Sequence, residues 1–137
     1  MALELLLEEE ETQINGIIMI ADFRNFGLTQ AKHMKPTLFR TYSKVFWSCY
    51  PIRVKGIHII DQPAIFSVIW PIVSYFMKEK VKKRVFLHGS DIDSFLSHFD
   101  VNIIPENFGG QQQPMVMNAW VTALMGAETR LPHLWSE

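Results

Sequence analysis

The chain has 137 residues, a length that fits one domain, and its hydrophobic fraction of 48% excludes a disordered chain. Its formal net charge of -1 excludes a generally basic nucleic-acid-binding domain. The single cysteine, Cys49, excludes an intramolecular disulfide and any zinc site that needs two thiolates, and it favours a reduced, intracellular protein.

The first half of the chain predicts two helices and two strands. Residues 2–13 have helix-forming composition, and Asn15 with Gly16 predicts the end of that helix. The apolar run 17–21 is typical of a strand buried on both faces of a parallel sheet. We expect a loop over residues 22–30, a helix over about 36–49 and a second strand over 54–60.

The second half begins with an unusual segment. Residues 64–83 predict one helix that is apolar almost all round and ends in the basic cluster 78–84. Such a helix is normally buried in protein or faces something apolar that is not protein. A third strand is predicted over 85–88 and a short helix over about 91–98. An extended segment over 103–110 ends in a tight turn, a linker follows over 111–113, and a last helix is expected over 115–125.

The alternation of helices and strands predicts an α/β fold, in which βαβ units form a small, mainly parallel sheet with helices on its faces. Three strands are few for such a sheet, so the sequence is expected to start partway through a domain. We expect no secretion signal, because the amino terminus is acidic. We expect no transmembrane helix either, because the longest apolar stretch, 63–77, is shorter than the ~20 residues that span a bilayer.

No catalytic constellation is visible in the sequence, so we expect no enzyme and no metal site. Phosphate-binding glycine loops, a nucleophile elbow and paired metal-binding histidines are all absent. We interpret the five histidines as structural or surface residues. His58 and His88 lie on predicted adjacent strands, which would allow them to meet, and we interpret them as core histidines. Asp22 and Asp61 follow strands and are interpreted as turn and cap residues.

Positive charge is concentrated in the middle of the chain. Residues 24–84 hold twelve of the thirteen lysines and arginines and only two acids. This block is a candidate anion-binding face, although for any single lysine a solvated surface is the more ordinary interpretation.

Four blocks of the sequence carry a resemblance to a known family. They are Asn15 to Ile20 followed by Asp22, then Arg53 to Pro63, then Lys80 to Gly89, and finally Ile103 to Gly110. In this order and spacing they resemble the CRAL-TRIO lipid-transfer domain family, in the subgroup of alpha-tocopherol transfer protein and cellular retinaldehyde-binding protein. The resemblance covers about residues 1–127 and only the C-terminal part of the domain. It implies that residues 1–110 belong to this lipid-binding domain and that 111–137 form a C-terminal helix and tail.

The resemblance implies that the sheet and a mobile lid helix, here about residues 63–83, enclose one hydrophobic lipid and no other cofactor. The floor and walls of the pocket would be formed by Ile17, Leu28, Met34, Tyr42, Val45, Phe46, Tyr50, Ile52 and Ile57. The lid would contribute Phe66, Trp70, Val73 and Met77. For any one of these positions, plain core packing is about as plausible, because pockets are lined by the residue types that fill cores.

The family's phosphoinositide-binding positions fall on Arg53, Lys80 and Arg84, and Lys55 and Lys83 lie beside them. The resemblance therefore implies transfer of a tocopherol-, retinoid- or phospholipid-like ligand between membranes that contain phosphoinositides. It also implies a cytoplasmic, peripheral protein that associates transiently with the cytosolic face of endosomal or other membranes. The alternative is a truncated, non-transferring fragment or a protein-interaction module.

Overall fold

The computed structural model describes residues 9–33, 35, 37–38, 40–41, 53–116, 118 and 122. The helices expected over 36–49 and 115–125 lie largely outside these residues, as do Cys49 and residues 2–8.

Three parallel strands form one sheet in the order β1–β2–β3. They are β1 (Ile17–Asp22), β2 (Val54–Ile60) and β3 (Val85–Gly89). β1 and β3 begin with short apolar runs of the kind that parallel sheets use, and β2 ends with the buried pair Ile59 and Ile60. The predicted parallel α/β arrangement is confirmed, and β2 lies at the centre of the sheet.

The first helix, α1 (Glu10–Asn15), ends where the sequence predicts. Gly16 has φ +79°, a value that glycine adopts without strain, and its N–H donates to the Thr12 carbonyl at 2.8 Å. A Cβ at this position would overlap the carbonyl of Arg53, so glycine lets the chain enter β1 directly against the start of β2.

β1 is not buried on both faces, so that expectation is wrong. Its burial alternates, and on one face Ile18 is 52% and Ile20 37% exposed. The physical reason is that β1 lies at the edge of the sheet formed by the described strands, whereas the helix on that face, α5 (Ile92–Leu96), packs against β2 and β3. A four-residue helix, α2 (Leu28–Ala31), also lies inside the segment that was expected to be a loop.

The long helix expected over 64–83 is divided in two. The first part, α3 (Phe66–Tyr75), contains Pro71, and the second, α4 (Glu79–Lys82), is a single turn. Between them Lys78 is extended, with φ -65° and ψ 141°. Glu79 lies in the first turn of α4 and Lys82 in its last turn. An acid at the start and a base at the end of a helix both interact favourably with the helix dipole, so these charges stabilise α4 as a separate helix.

The core lies beneath α5, whose N-cap Asp91 accepts a hydrogen bond from Ser94 N. Phe95, the side chain with no exposed surface, packs with Ile60 and Ile104. The segment 103–110 is extended only at Ile104 and Pro105, which lie between two 3-10 turns, Val101–Ile103 and Glu106–Phe108.

Residues 111–113 are not a free linker. Gln112 N donates to the Ile104 carbonyl at 2.9 Å, and Glu106 N donates to the Gln112 carbonyl at 2.9 Å. The predicted tight turn is confirmed at Gly109, which has φ +83°. This turn brings the chain back onto its own preceding segment, where Gln111 N also donates to the Val101 carbonyl.

Candidate functional site

A cavity of about 440 Å³ lies between the start of α3 and β3. Its wall is mostly apolar, as is typical of sites for hydrophobic ligands. It is lined by Gln62, Pro63, Ala64, Phe66, Ser67, Trp70 and Leu87.

Aromatic packing fixes the start of α3 above the sheet. The ring of Phe66 is buried and meets the ring of Phe23, which follows β1, edge-on at 5.2 Å between centroids. Trp70 lies one turn further along α3 and stacks on Phe66 at 6.1 Å. The helix is therefore held at its first turn, and Trp70 extends the apolar wall of the cavity.

The strand register shows which face of the sheet borders the cavity. Leu87, in the cavity wall, is paired with Ile59, and Ile57 lies two residues earlier on the same strand and face. Ile57 is paired with Met19, and Ile17 lies two residues before Met19, on the same face of β1. Ile17 and Ile57 therefore share the face of the sheet that borders the cavity.

The structure brings together part of the predicted lipid-binding set. Phe66 and Trp70 line the cavity, whereas Leu28 is exposed on α2, and Val73 and Met77 are half-buried outside the cavity wall. The remaining predicted residues lie outside the described part of the chain: Met34, Tyr42, Val45, Phe46, Tyr50 and Ile52.

Sequence reasoning missed the two polar side chains of the wall, Gln62 and Ser67, and also Leu87. The position of Gln62 between a predicted strand and Pro63 was the available signal, because ligands bind at the carboxyl ends of parallel strands. Leu87 could have been assigned from the alternation of β3, since it points away from His88.

Four basic residues lie at the amino ends of β2 and β3 and a fifth, Lys80, lies in α4 shortly before β3; we call this group the basic edge. Parallel strands bring these ends to the same side of the sheet, and the backbone N–H of Ile57 donates to the Arg84 carbonyl at 2.8 Å. Four of the five side chains are exposed, whereas the neighbouring Lys82 pairs with Glu79 at 2.6 Å. The basic edge consists of Arg53, Lys55, Lys80, Lys83 and Arg84.

Arg84 differs from the other members of the basic edge. It is half-buried, and its Nη1 donates to the carbonyl of Val54 at the start of β2. A guanidinium has five N–H donors, so further donors remain for an anion. Arg84 therefore ties β3 to β2 while carrying a positive charge at the edge of the sheet.

The opposite face of the sheet carries a histidine cluster, in which His58 and His88 are buried and His98 is exposed. His58 Nδ1 and His88 Nε2 are 3.0 Å apart, and His88 Nδ1 lies 3.0 Å from Ser94 Oγ. His98 packs edge-on against His58 at 5.0 Å. Burial, followed by the neighbouring His88 and His98, lowers the pKa of His58 to about 4, so its ring is neutral at physiological pH.

The meeting of His58 with His88 in the core agrees with the sequence-based expectation. Within the part of the chain that the structure describes, no group of three or more histidine, cysteine, aspartate or glutamate side chains is arranged to hold a metal ion. Both His58 and His88 pack edge-on against Phe95 of α5, so the cluster contributes to packing this helix against the sheet.

A small ion-pair group lies at the carboxyl ends of β1 and β2. Arg24 donates to Asp22 through Nε at 2.8 Å and Nη2 at 2.6 Å, and Asp22 also accepts from Arg24 N. The hydrogen bond from Arg24 lowers the pKa of the Asp22 carboxyl. Asp61 has φ +52° and donates its N–H to the Gly89 carbonyl, which supports the interpretation of both aspartates as turn residues.

Among the described residues, none of the helices combines the length and the apolar character needed to cross a bilayer.

Comparison with known proteins identifies relatives that extend over most of the chain. Residues 1–110 match the family model of the CRAL/TRIO domain. The chain is 37% identical over 128 residues to the mouse protein "Alpha-tocopherol transfer protein-like" and 34% identical over 128 residues to Clavesin-1 of Xenopus laevis. Each match covers 93% of this chain, but only 37% and 39% of the respective relative.

A solved structure shares the fold. The crystal structure of Sfh5 superposes with a TM-score of 0.58 at 14% sequence identity, over 77% of this chain and 36% of that one. This likeness concerns the fold alone, and it agrees with the parallel sheet flanked by helices.

Proposed function

The chain belongs to the CRAL/TRIO domain family, and we propose that it binds a small hydrophobic lipid and transfers it between membranes. Membership of this family confirms that the chain is not an enzyme. The observation that carries the proposal is the apolar cavity between α3 and the sheet. The chain spans only 37% of the length of the tocopherol transfer-like relative. Lipid transfer by the whole protein is therefore proposed here and is not a finding of the comparison.

The cavity supports the binding step. A lipid that buries several hundred Å² of apolar surface gains roughly 25 cal/mol per Å². Leu87, Phe66 and Trp70 supply apolar surface from both the strand and the helix that border the cavity. The ligand class that fits this wall is an elongated lipid of the tocopherol, retinoid or phospholipid type.

The basic edge supports a membrane-docking step at the cytosolic leaflet. Anionic lipid attracts basic residues near its surface by about 1 kcal/mol each. Four exposed cations lie at one end of the sheet, and we propose that they, with Arg84, recognise phosphoinositide headgroups. Lys55, one of these cations, is exposed and lies two residues before Ile57 on β2.

The outer face of α3 supports the exchange step. Val68 is 63% and Tyr75 is 79% exposed, and Ile72 lies between them on the same side of the helix. Residues 76–78 separate the end of α3 from the basic helix α4. An apolar helix face next to cations is the arrangement that lies in a bilayer interface. In this proposal α3 acts as the lid that enters the interface while the lipid leaves or enters.

The docking step is tested by sedimentation of the full chain with phosphatidylcholine vesicles that contain a phosphoinositide. We expect Lys55→Gln/Lys80→Gln to weaken vesicle binding by about tenfold or more, because two cations are removed from the basic edge. The matched control, Lys32→Gln/Lys35→Gln, removes two exposed cations elsewhere and is expected to change binding by less than threefold. Equal effects of both pairs would overturn the assignment of the basic edge.

The transfer step is tested by the movement of a fluorescent tocopherol, retinoid or phosphatidylcholine between donor and acceptor vesicles. The proposal expects faster movement of at least one probe in the presence of the chain, and a slower rate for Trp70→Asp. A rate that never exceeds spontaneous exchange for any probe would overturn transfer by this chain.

A protein-interaction module is a second candidate, favoured by the exposed face of β1. Ile18 and Ile20 project from an edge strand, and exposed apolar edges favour pairing with another chain. This alternative predicts concentration-dependent association that Ile18→Lys/Ile20→Lys abolishes. A monomer at all concentrations, measured by sedimentation velocity, would exclude self-association through this face.

A further inference from the structure

The cavity wall contains two polar side chains among apolar neighbours. Ser67 Oγ donates its proton to the Ala64 carbonyl at 2.8 Å, a bond inside the first turn of the lid. The hydroxyl proton is therefore already used by the backbone. Gln62 is the second polar side chain, and the hydrogen bonding of its amide oxygen differs from that of its amide nitrogen.

The carboxamide of Gln62 is oriented by the end of β3. Gly89 N donates to Gln62 Oε1 at 3.0 Å, which fixes the oxygen toward the backbone. The preceding residue is held as well, because Asp61 N donates to the Gly89 carbonyl at 2.7 Å. Within the described residues, Gln62 Nε2 has no hydrogen-bond partner. Two N–H donors are thus left at a half-buried, rigidly held position in the cavity wall.

We propose that Gln62 Nε2 donates a hydrogen bond to an oxygen atom of the bound lipid, so that the cavity prefers lipids bearing a carbonyl, ester or ether oxygen over pure hydrocarbons. The proposal rests on the proposed lipid binding and names a chemical feature of the ligand. A site built to donate a hydrogen bond rejects a ligand that lacks the acceptor, because the donor is then desolvated without a partner.

The position of Gln62 also predicts the orientation of the lipid. Gln62 precedes the lid, whereas Trp70 lies in its second turn and Leu87 on β3, and both are apolar. The oxygen of the ligand is therefore expected at the end of the cavity near Gln62, with the hydrocarbon portion along Trp70 and Leu87.

The test compares two probes of equal chain length, 2-octadecanone and octadecane, as competitors of a fluorescent hydrocarbon bound to the full chain. The ketone accepts hydrogen bonds and does not donate them. We expect the ketone to bind the unmodified chain about fivefold more tightly than the alkane, the effect of one neutral hydrogen bond.

The informative variant is Gln62→Glu, which keeps an oxygen for Gly89 N and replaces the donor with a second acceptor. We expect it to abolish the preference for the ketone, because no donor remains for the carbonyl oxygen. Gln62→Met, which has no donor, is the second variant and is expected to abolish the preference too. Gln113→Met, at an exposed glutamine outside the cavity wall, is the control and is expected to retain it.

The outcomes separate this inference from the proposed function. If both probes bind and a folded Gln62 variant retains the original preference, the role of Gln62 is overturned and lipid binding stands. Equal binding of both probes to the unmodified chain also overturns the role of Gln62. If neither probe binds a folded, unmodified chain, lipid binding in this cavity is overturned together with the inference.

Discussion

The imidazole rings of His58 and His88 are parallel to within 4°, and Nδ1 of the first lies 3.0 Å from Nε2 of the second. Phe86, Phe95 and Phe99 surround His58, so protonation would place a positive charge among aromatic rings and beside His98. Burial, followed by the neighbouring His98, also lowers the pKa of His88, and the nearby acid Asp91 offsets this lowering only in part. The cluster therefore links the packing of α5 to pH.

The first prediction is a loss of stability at mildly acidic pH. The pKa of His58 falls from 6.5 to about 4 in the folded chain, so the unfolded chain binds the proton at higher pH. The free energy of unfolding is therefore expected to fall as the pH drops below 6.5, by about 2 kcal/mol between pH 7.5 and 5.0. Urea unfolding at these two pH values measures it.

Two variants isolate the contribution of His58. His58→Gln is expected to show a smaller difference between pH 7.5 and 5.0, whereas the exposed His33→Gln keeps the full difference. Asp22 does not contribute in this window, because its lowered pKa places its titration at more acidic pH. Equal stability of the unmodified chain at both pH values would contradict the burial of a neutral histidine pair.

The second prediction concerns the close approach of the chain at Gly110. A Cβ there would overlap the carbonyl of Ile104, which also accepts the hydrogen bond from Gln112 N. Gly110→Ala is expected to lower the free energy of unfolding by about 1–3 kcal/mol, because the backbone must shift. The exposed Gln113→Ala is the control and is expected to stay within about 0.5 kcal/mol. A neutral Gly110→Ala in urea unfolding would exclude this packing.

The third prediction separates the structural and electrostatic roles within the basic edge. Arg84→Met removes the donor to the Val54 carbonyl and is expected to lower the free energy of unfolding by about 2 kcal/mol. Lys83→Met, at the adjacent exposed position, is expected to leave stability within about 0.5 kcal/mol. Both are expected to weaken binding to anionic vesicles about fivefold. Identical stability of the two variants would contradict the role of Arg84 as a tie between strands.

The fourth prediction tests the outer face of the lid. Val68→Glu places a charge on the exposed apolar side of α3 and is expected to weaken vesicle binding about tenfold, since charge opposes entry into the interface. Ile14→Glu introduces the same change at an equally exposed position on α1 and is expected to have a smaller effect than Val68→Glu. The melting temperature of each variant serves as the folding control. If both weaken binding equally, the effect is one of charge alone and α3 is not the inserting element.

The sheet could be predicted from the sequence because each strand is marked locally. Gly16 and Asp22 bound the apolar run of β1, and the alternation of helices with strands predicts parallel pairing. The meeting of His58 and His88 followed from their places on neighbouring strands. The exposure of Ile18 could not be predicted, because it depends on β1 being an edge strand, and one strand's residues do not specify its place in a sheet.

The candidate site could be predicted only in part. The family resemblance indicated Phe66 and Trp70, but the apolar pattern continued through Met77 and hid the break before α4. Gln62 was missed because a polar residue at a strand end is typical of a turn, and its role depends on the distant Gly89. The engagement of Arg84 with the Val54 carbonyl depends on the pairing of β2 with β3, which composition does not reveal.

A native mass spectrum of the full chain, recorded after incubation with a membrane lipid extract, tests lipid binding most directly. Lipid binding predicts compact, low charge states that carry the added mass of one lipid, and that mass would identify its class. Compact, low charge states that carry no added mass after this incubation would contradict it.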